Sequence, residues 1–195
     1  MSDLLIDFSK FNKKEGENLI KPTHKKKKSA KNISISRDFE QENLSSKDIQ
    51  HSLSLRFHNH NYVIYNAFLF EWESDFFSVS ESDYLYEVEI KITRADYKDD
   101  FDKKEKHLLL ENHNMDFKKK PNKFFYAVPK GLLATIEVPE YAGLIEVSSR
   151  NSMSNIVKDA PFLHKEKILD FYKDALLNKF YRRYRDIILE NNFGD

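Results

Sequence analysis

The sequence predicts an α/β (α+β) domain: a central mixed β-sheet flanked by helices, with an N-terminal tail and a long C-terminal helix. Three observations predict it. Two strand-forming stretches, residues 74–80 and 84–93, are rich in Tyr, Phe, Val and Ile and are joined by the polar turn Glu81-Ser82-Asp83. A helical pattern follows, and then a nearly continuous apolar run, Phe124 to Pro129, as expected of a strand buried on both faces. From Lys165 to about Asn191, apolar residues recur at spacings of three and four.

The composition suits a globular protein with a real core. Of 195 residues, 40% are hydrophobic and 33% charged, while only 4 Gly and 5 Pro argue against a loop-rich chain. The absence of cysteine excludes disulfides and thiolate metal sites. No apolar run approaches the roughly 20 residues of a membrane span, and Met1 to Phe8 is too short and acidic for a signal peptide. The expectation is an intracellular, cytoplasmic protein with no membrane partner. A formal net charge of +0 means that any nucleic-acid contact must come from local basic patches.

Residues 1–45 read as a Lys-rich arm. Leu4, Leu5, Ile6, Phe8 and Phe11 form a small apolar cluster, and Lys25 to Lys28 form a basic run. Such a run is either a solvated face or an arm docking on a phosphate backbone or a protein partner, with the apolar cluster as anchor. Ser45 or Ser46 then caps a helix whose Ile49, Leu53 and Phe57 form an apolar stripe. His58-Asn59-His60, with His51 nearby, reads as a polar turn more readily than as a zinc pair, since no Asp or Cys completes a tetrahedral set. Residues 62–72 hold one or two further strands, giving an antiparallel meander with the next two. Glu71 and Glu73 share a parity that could bring them toward the same end.

The strand 84–93 carries an energetic oddity. Tyr86, Val88, Ile90 and Ile92 share one face, and Glu87, Glu89 and Lys91 share the other. Like charges on one face repel, and a desolvated charge needs a partner. A bound divalent cation resolves this, because it takes one or two carboxylates plus waters. Asp75, at the start of the neighbouring strand, adds a carboxylate at the same end. Asp75, Glu89 and Lys91 thus read as a metal site with an ammonium beside it, chemistry suited to phosphodiester hydrolysis.

The order Ser74-Asp75, about fourteen residues, then Glu89-Ile90-Lys91 resembles the signature of the PD-(D/E)XK nucleases. Ile92 to Tyr97 and Phe125 to Leu132 look like the MmcB-like branch, associated with DNA repair and common in phages. The likeness runs from about Lys47 to Val147. It implies a restriction-endonuclease-like core over 46–150, followed by a linker and an amphipathic helix over 151–195. It also implies a catalytic set of Asp75, Glu89 and Lys91, and Mg²⁺ (or Mn²⁺) held by Asp75, Glu89 and the Ile90 carbonyl. Glu87 would be auxiliary. Some relatives carry a metal-assisting Glu in the first helix; none lies between Lys47 and Phe57 here, and Asp48 is a poor substitute.

After Lys91 an acidic first turn, Asp96, Asp99 and Asp100, suits a helix start, and that helix should run to about Asn112. In nuclease-like relatives its polar face can touch DNA, which makes Lys103, Lys104 and His107 nucleic-acid candidates. The alternating Arg and Tyr of the last helix make Arg182, Arg183 and Arg185 candidates too, unless the aromatics face a core or partner and the arginines are solvated. Ala142 to Val147 reads as a strand nearer the sheet edge. The expectation is a Mg²⁺-dependent DNA nuclease, or else a nuclease-fold component of a larger assembly such as a virion. In both, the arm and the last helix would meet a protein partner or a second copy.

Overall fold

The computed structural model describes residues 43–112, 116–133 and 137–193. Every element below belongs to the unit Phe39–Asp195. The Lys25–Lys28 run and the Leu4–Phe11 cluster lie outside the described residues.

Helix α1, Ser46–Arg56, is opened by a capping box: Ser45 and Asp48 each accept from the other's backbone N–H. Strands β1 (Tyr62–Phe68), β2 (Glu73–Val79) and β3 (Leu85–Ile90) follow as an antiparallel meander. The chain then crosses over through α2 (Arg94–Asp99), a 3₁₀ turn (Asp100–Asp102) and α3 (Lys104–Glu111). Strand β4 (Lys123–Pro129) lies parallel to β3, and β5 (Ala142–Val147) lies parallel to β4. Strand β6 (Asn155–Lys158) closes the sheet antiparallel to β5, and α4 (Asp170–Phe193) ends the chain. The six strands lie in chain order.

The predicted mixed α/β fold is therefore present, with three differences in detail. The helix expected between Asp96 and Asn112 is two helices with a 3₁₀ turn between them. Strand β5 is not at the edge, because β6 lies outside it, so the sheet continues past residue 150. Four residues are too few to show alternation, which is why β6 left no signal. The last helix starts at Asp170 rather than Lys165.

The alternation of β3 sorts the sheet's two faces. On one, Ile49, Leu53 and Phe57 of α1 pack against Phe76, Val88, Ile90, Phe125 and Ala127. On the other, Tyr97 of α2 and Leu110 of α3 cover Phe124, Tyr126 and Val128. Toward β1, Ile168 and Leu176 cover Ile64, Phe77 and Val79. Gly143 lets β5 approach its neighbours: a Cβ there would fall 2.4 Å from the Phe125 ring and 2.7 Å from the Ala160 backbone nitrogen. Asn122 ties the chain end down. Its Oδ1 accepts from the Leu85 N–H, and its Nδ2 donates to the Glu166 carbonyl at 2.7 Å.

Candidate active site

The site forms where β2 leaves β3. Pairing stops at Phe76 opposite Val88. Beyond it the Asp75 carboxylate replaces the ladder, accepting the Ile90 N–H at 2.7 Å. In an antiparallel strand a residue's N–H and C=O point to the same neighbour, so the Ile90 carbonyl faces this side too. Asn66 marks the break on β1 with a φ of 45°, a left-handed conformation that Asn tolerates. Gln50 of α1 braces the place: its Nε2 donates to Asn66 Oδ1 at 2.9 Å and to the Asp75 carbonyl at 3.2 Å. The first helix thus supplies a Gln that holds the Asp75 backbone, while Asp48 is engaged in the helix cap.

Glu87, Glu89 and Lys91 lie on one face of β3 as their alternation predicts, but they are buried beneath α2 and α3. Lys91 Nζ sits 3.0 Å from Asp100 and 3.4 Å from Glu89. Lys106, from α3, reaches Glu89 at 2.5 Å and lies 3.7 Å from Glu87. Glu87 Oε1 accepts from Ser74 Oγ (2.5 Å) and Trp72 Nε1 (2.7 Å), while its Oε2 has no partner. Asp100 accepts from the Tyr126 hydroxyl at 2.8 Å and lies 3.1 Å from Lys103. Asp75, Glu87, Glu89 and Asp100 therefore gather around two buried ammonium groups, with the half-exposed Lys103 beside Asp100 and the half-exposed Asp96 3.9 Å from Lys91.

The charge deficit shows in the acidities. Burial, then the Glu89 charge, pushes the Asp75 carboxyl up to about 6 against the Ile90 N–H and both lysines. Burial pushes Glu87 up to about 7 despite Lys106. Asp100 goes the other way. Burial opposes its charge, but His107 and the two lysines outweigh that and hold it well below the usual carboxylate range. Burial would depress Lys91, yet Glu89 and Asp100 hold it above its ordinary value.

Of the predicted residues, Asp75, Glu89, Lys91 and the Ile90 backbone come together, with Glu87 beside them. Lys103 and Lys104 line a surface cleft of about 420 Å³ together with Glu71, Trp72 and Lys106. His107 has its ring nitrogens engaged within the protein. It is not on the outer face of its helix but half-buried, its Nε2 donating to the Asp100 carbonyl at 2.8 Å and its Nδ1 2.5 Å from the Tyr141 hydroxyl. Arg183 is engaged too. It donates to the Tyr65 and Asn66 carbonyls and so fastens α4 to β1. Arg185 pairs with Asp186, and Arg182 is exposed on the same helix. Glu73 is exposed, and Glu71 pairs with Lys119 across the surface. His60 packs against Phe57 and Tyr86, and His58 bonds the Leu55 carbonyl, which spends the His-x-His pair on packing and turn formation.

Sequence reasoning missed Lys106 and Asp100. Nothing distinguishes Lys106 from Lys103 and Lys104 except its place four residues before the buried Leu110, on the same helical face. Asp100 reads as one of several first-turn acids until the 3₁₀ turn carries it inward.

The donor set fits a hard divalent cation. One or two carboxylates, a backbone carbonyl and waters are what Mg²⁺ accepts. Among the described residues no group of three or more His, Cys, Asp or Glu gathers to hold a metal by side chains alone. Asp75 and Glu89 with the Ile90 carbonyl are the donors that would hold such a cation.

No family model matches the chain, and no curated protein matches it. A solved structure does: the SPO1766 protein of unknown function from Silicibacter pomeroyi is similar at 17% identity with a TM-score of 0.55, over 77% of this chain and 94% of that one. At that identity the likeness speaks for the fold alone. Among the described residues no helix is long and apolar enough to cross a membrane.

Proposed function

We propose that the protein is a Mg²⁺-dependent (or Mn²⁺-dependent) phosphodiesterase of the PD-(D/E)XK type that acts on DNA in processing or repair inside the cell. One observation carries this reading. The β2–β3 ladder opens at Asp75, leaving that carboxylate beside Glu89-Ile90-Lys91 at one end of a helix–three-strand–helix–strand core. Asp75, Glu89 and the Ile90 carbonyl would hold the cation. When bound, it would neutralise charge on the phosphate and acidify a water. Lys91 is the ammonium that orients the attacking water or meets the developing phosphate charge, and Asp100 positions it. Tyr126 and His107 in turn hold Asp100. Lys103 and Lys104, which line the cleft, would meet the DNA backbone.

The test is a cleavage assay on single- and double-stranded DNA with Mg²⁺ or Mn²⁺. Asp75→Ala and Lys91→Ala should each slow cleavage by on the order of 10²–10⁴. Cleavage that both variants leave unchanged would remove this site from the reaction.

A second reading rests on α4. Leu177, Phe180, Tyr184 and Ile187 are exposed at spacings of three, four and three. Such a seam suits a helix of a partner or a second copy, and the protein would then be a component of a larger assembly such as a virion, connector or DNA-packaging machine.

A further inference from the structure

We infer that Lys106 is the resident counter-ion of the Glu87–Glu89 pair, and that a divalent cation settles at Glu89 only when the Lys106 side chain withdraws into the adjoining cleft. The inference deepens the proposed function and rests on it. Lys106 Nζ lies 2.5 Å from Glu89 Oε1 and 3.7 Å from Glu87 Oε1. Both Glu89 oxygens therefore already face an ammonium group, Oε1 the closer one of Lys106 and Oε2 that of Lys91 at 3.4 Å. That compensation is incomplete: Lys106 is shared by two carboxylates, Lys91, 3.4 Å from Glu89, is itself shared with Asp100, and Glu87 Oε2, fully buried, has no partner. A doubly charged ion would satisfy the pair better than Lys106 does.

The way out is also built. Lys106 forms part of the wall of the 420 Å³ cleft lined by Trp72, Lys103 and Lys104. In its resting position beside Glu89 the ammonium lies 4.9 Å from the centre of the Phe124 ring and 5.8 Å from that of Trp72, and of these two rings Trp72 also lines the cleft. A lysine stem is flexible enough to carry the charge from the carboxylates to the cleft. There it joins Lys103 and Lys104 in a lining that also holds Glu71, Asp102 and Glu105, and the added charge would tip that balance toward an anionic phosphodiester. Lys106 thus links the two events: the arriving cation releases a third positive charge toward the substrate.

This has an uncommon signature. Removing an ordinary ligand weakens cation binding, whereas removing Lys106 should strengthen it. The experiment is titration of the full chain with Mn²⁺, followed by calorimetry and by the electron paramagnetic resonance of free Mn²⁺. Lys106→Met should bind at least about tenfold more tightly than the native chain, a gain of about 1.4 kcal/mol. Lys106→Arg, which keeps the charge, should show no such gain. Asp75→Ala added to Lys106→Met should abolish it. Should Lys106→Met fail to fold with its carboxylates uncompensated, Glu87→Gln is compared with Glu87→Gln/Lys106→Met, and the same tenfold gain is expected. Equal or weaker binding on loss of Lys106, with cleavage by the native chain intact, overturns this inference alone. Absence of both Mn²⁺ binding and cleavage in the native chain overturns the proposed function, and the inference with it.

Discussion

Glu87 lies fully inside the protein, with one carboxylate oxygen held by Ser74 and Trp72 and the other without a partner. Its acidity, pushed up to about 7 chiefly by burial, is a statement about stability. The folded carboxyl holds its proton more tightly than the unfolded one. Between the ordinary value of 4.5 and about 7, the folded protein therefore binds a proton that the unfolded chain has lost. Stability from this group is present at low pH and falls as pH rises through that window. Between pH 6 and pH 8 the loss is about 1 kcal/mol. Glu87→Gln should flatten that part of the profile in thermal melts, and a variant whose slope matches the native one would show that Glu87 does not titrate there. The alternation of Glu87, Glu89 and Lys91 was legible in the sequence. That the three are buried was not, because burial depends on which helix covers them.

At the scale of elements, the seat of α4 rests on a few contacts. Leu176 is buried against the β1–β2 surface with Ile168, and Arg183 bonds two carbonyls of β1. Its neighbour Leu177 is 41% exposed. The two leucines make a controlled pair. Leu176→Ala should cost about 2–3 kcal/mol and make the last helix sensitive to limited proteolysis. Leu177→Ala should change stability by no more than about 0.5 kcal/mol. Equal effects would mean that α4 is not seated as described. Periodicity announced this helix but not which of its leucines faces inward, since apolar residues surround much of its circumference. The break between α2 and α3 was equally hidden. Lys103 adopts φ −78°, ψ 59°, outside the helical region, and no Pro or Gly marks the place.

For the molecule as a whole, the two functional readings separate at α4. The seam of Leu177, Phe180, Tyr184 and Ile187 is apolar at coiled-coil spacing, and it is flanked by Lys179, Arg182 and Arg185. If it joins two copies or docks in a larger assembly, the native chain should run larger than 23.2 kDa in light scattering. Phe180→Glu with Ile187→Glu should then return it to a monomer without altering its melting temperature by more than a few degrees. A native chain that is monomeric, with cleavage of DNA intact, would leave α4 without a role in self-association and favour the enzymatic reading. The cleft of Lys103 and Lys104 lies at α3 and does not draw on this helix.

By itself the sequence determined the local grammar: a capped helix ahead of a meander, a strand with charges on one face, a strand buried on both, and a long final helix. Each of these is written in spacing and side-chain type, which act over a few residues. Asp75 and Glu89-Ile90-Lys91 were legible for the same reason, because they sit on adjacent strands joined by a short turn. Only the tertiary structure decided what surrounds them. Lys106, Asp100 and Gln50 come from three different elements, and nothing in their own neighbourhoods distinguishes them from solvated residues of the same kind. Their roles arise because desolvated carboxylates must find partners wherever the packed chain can bring them.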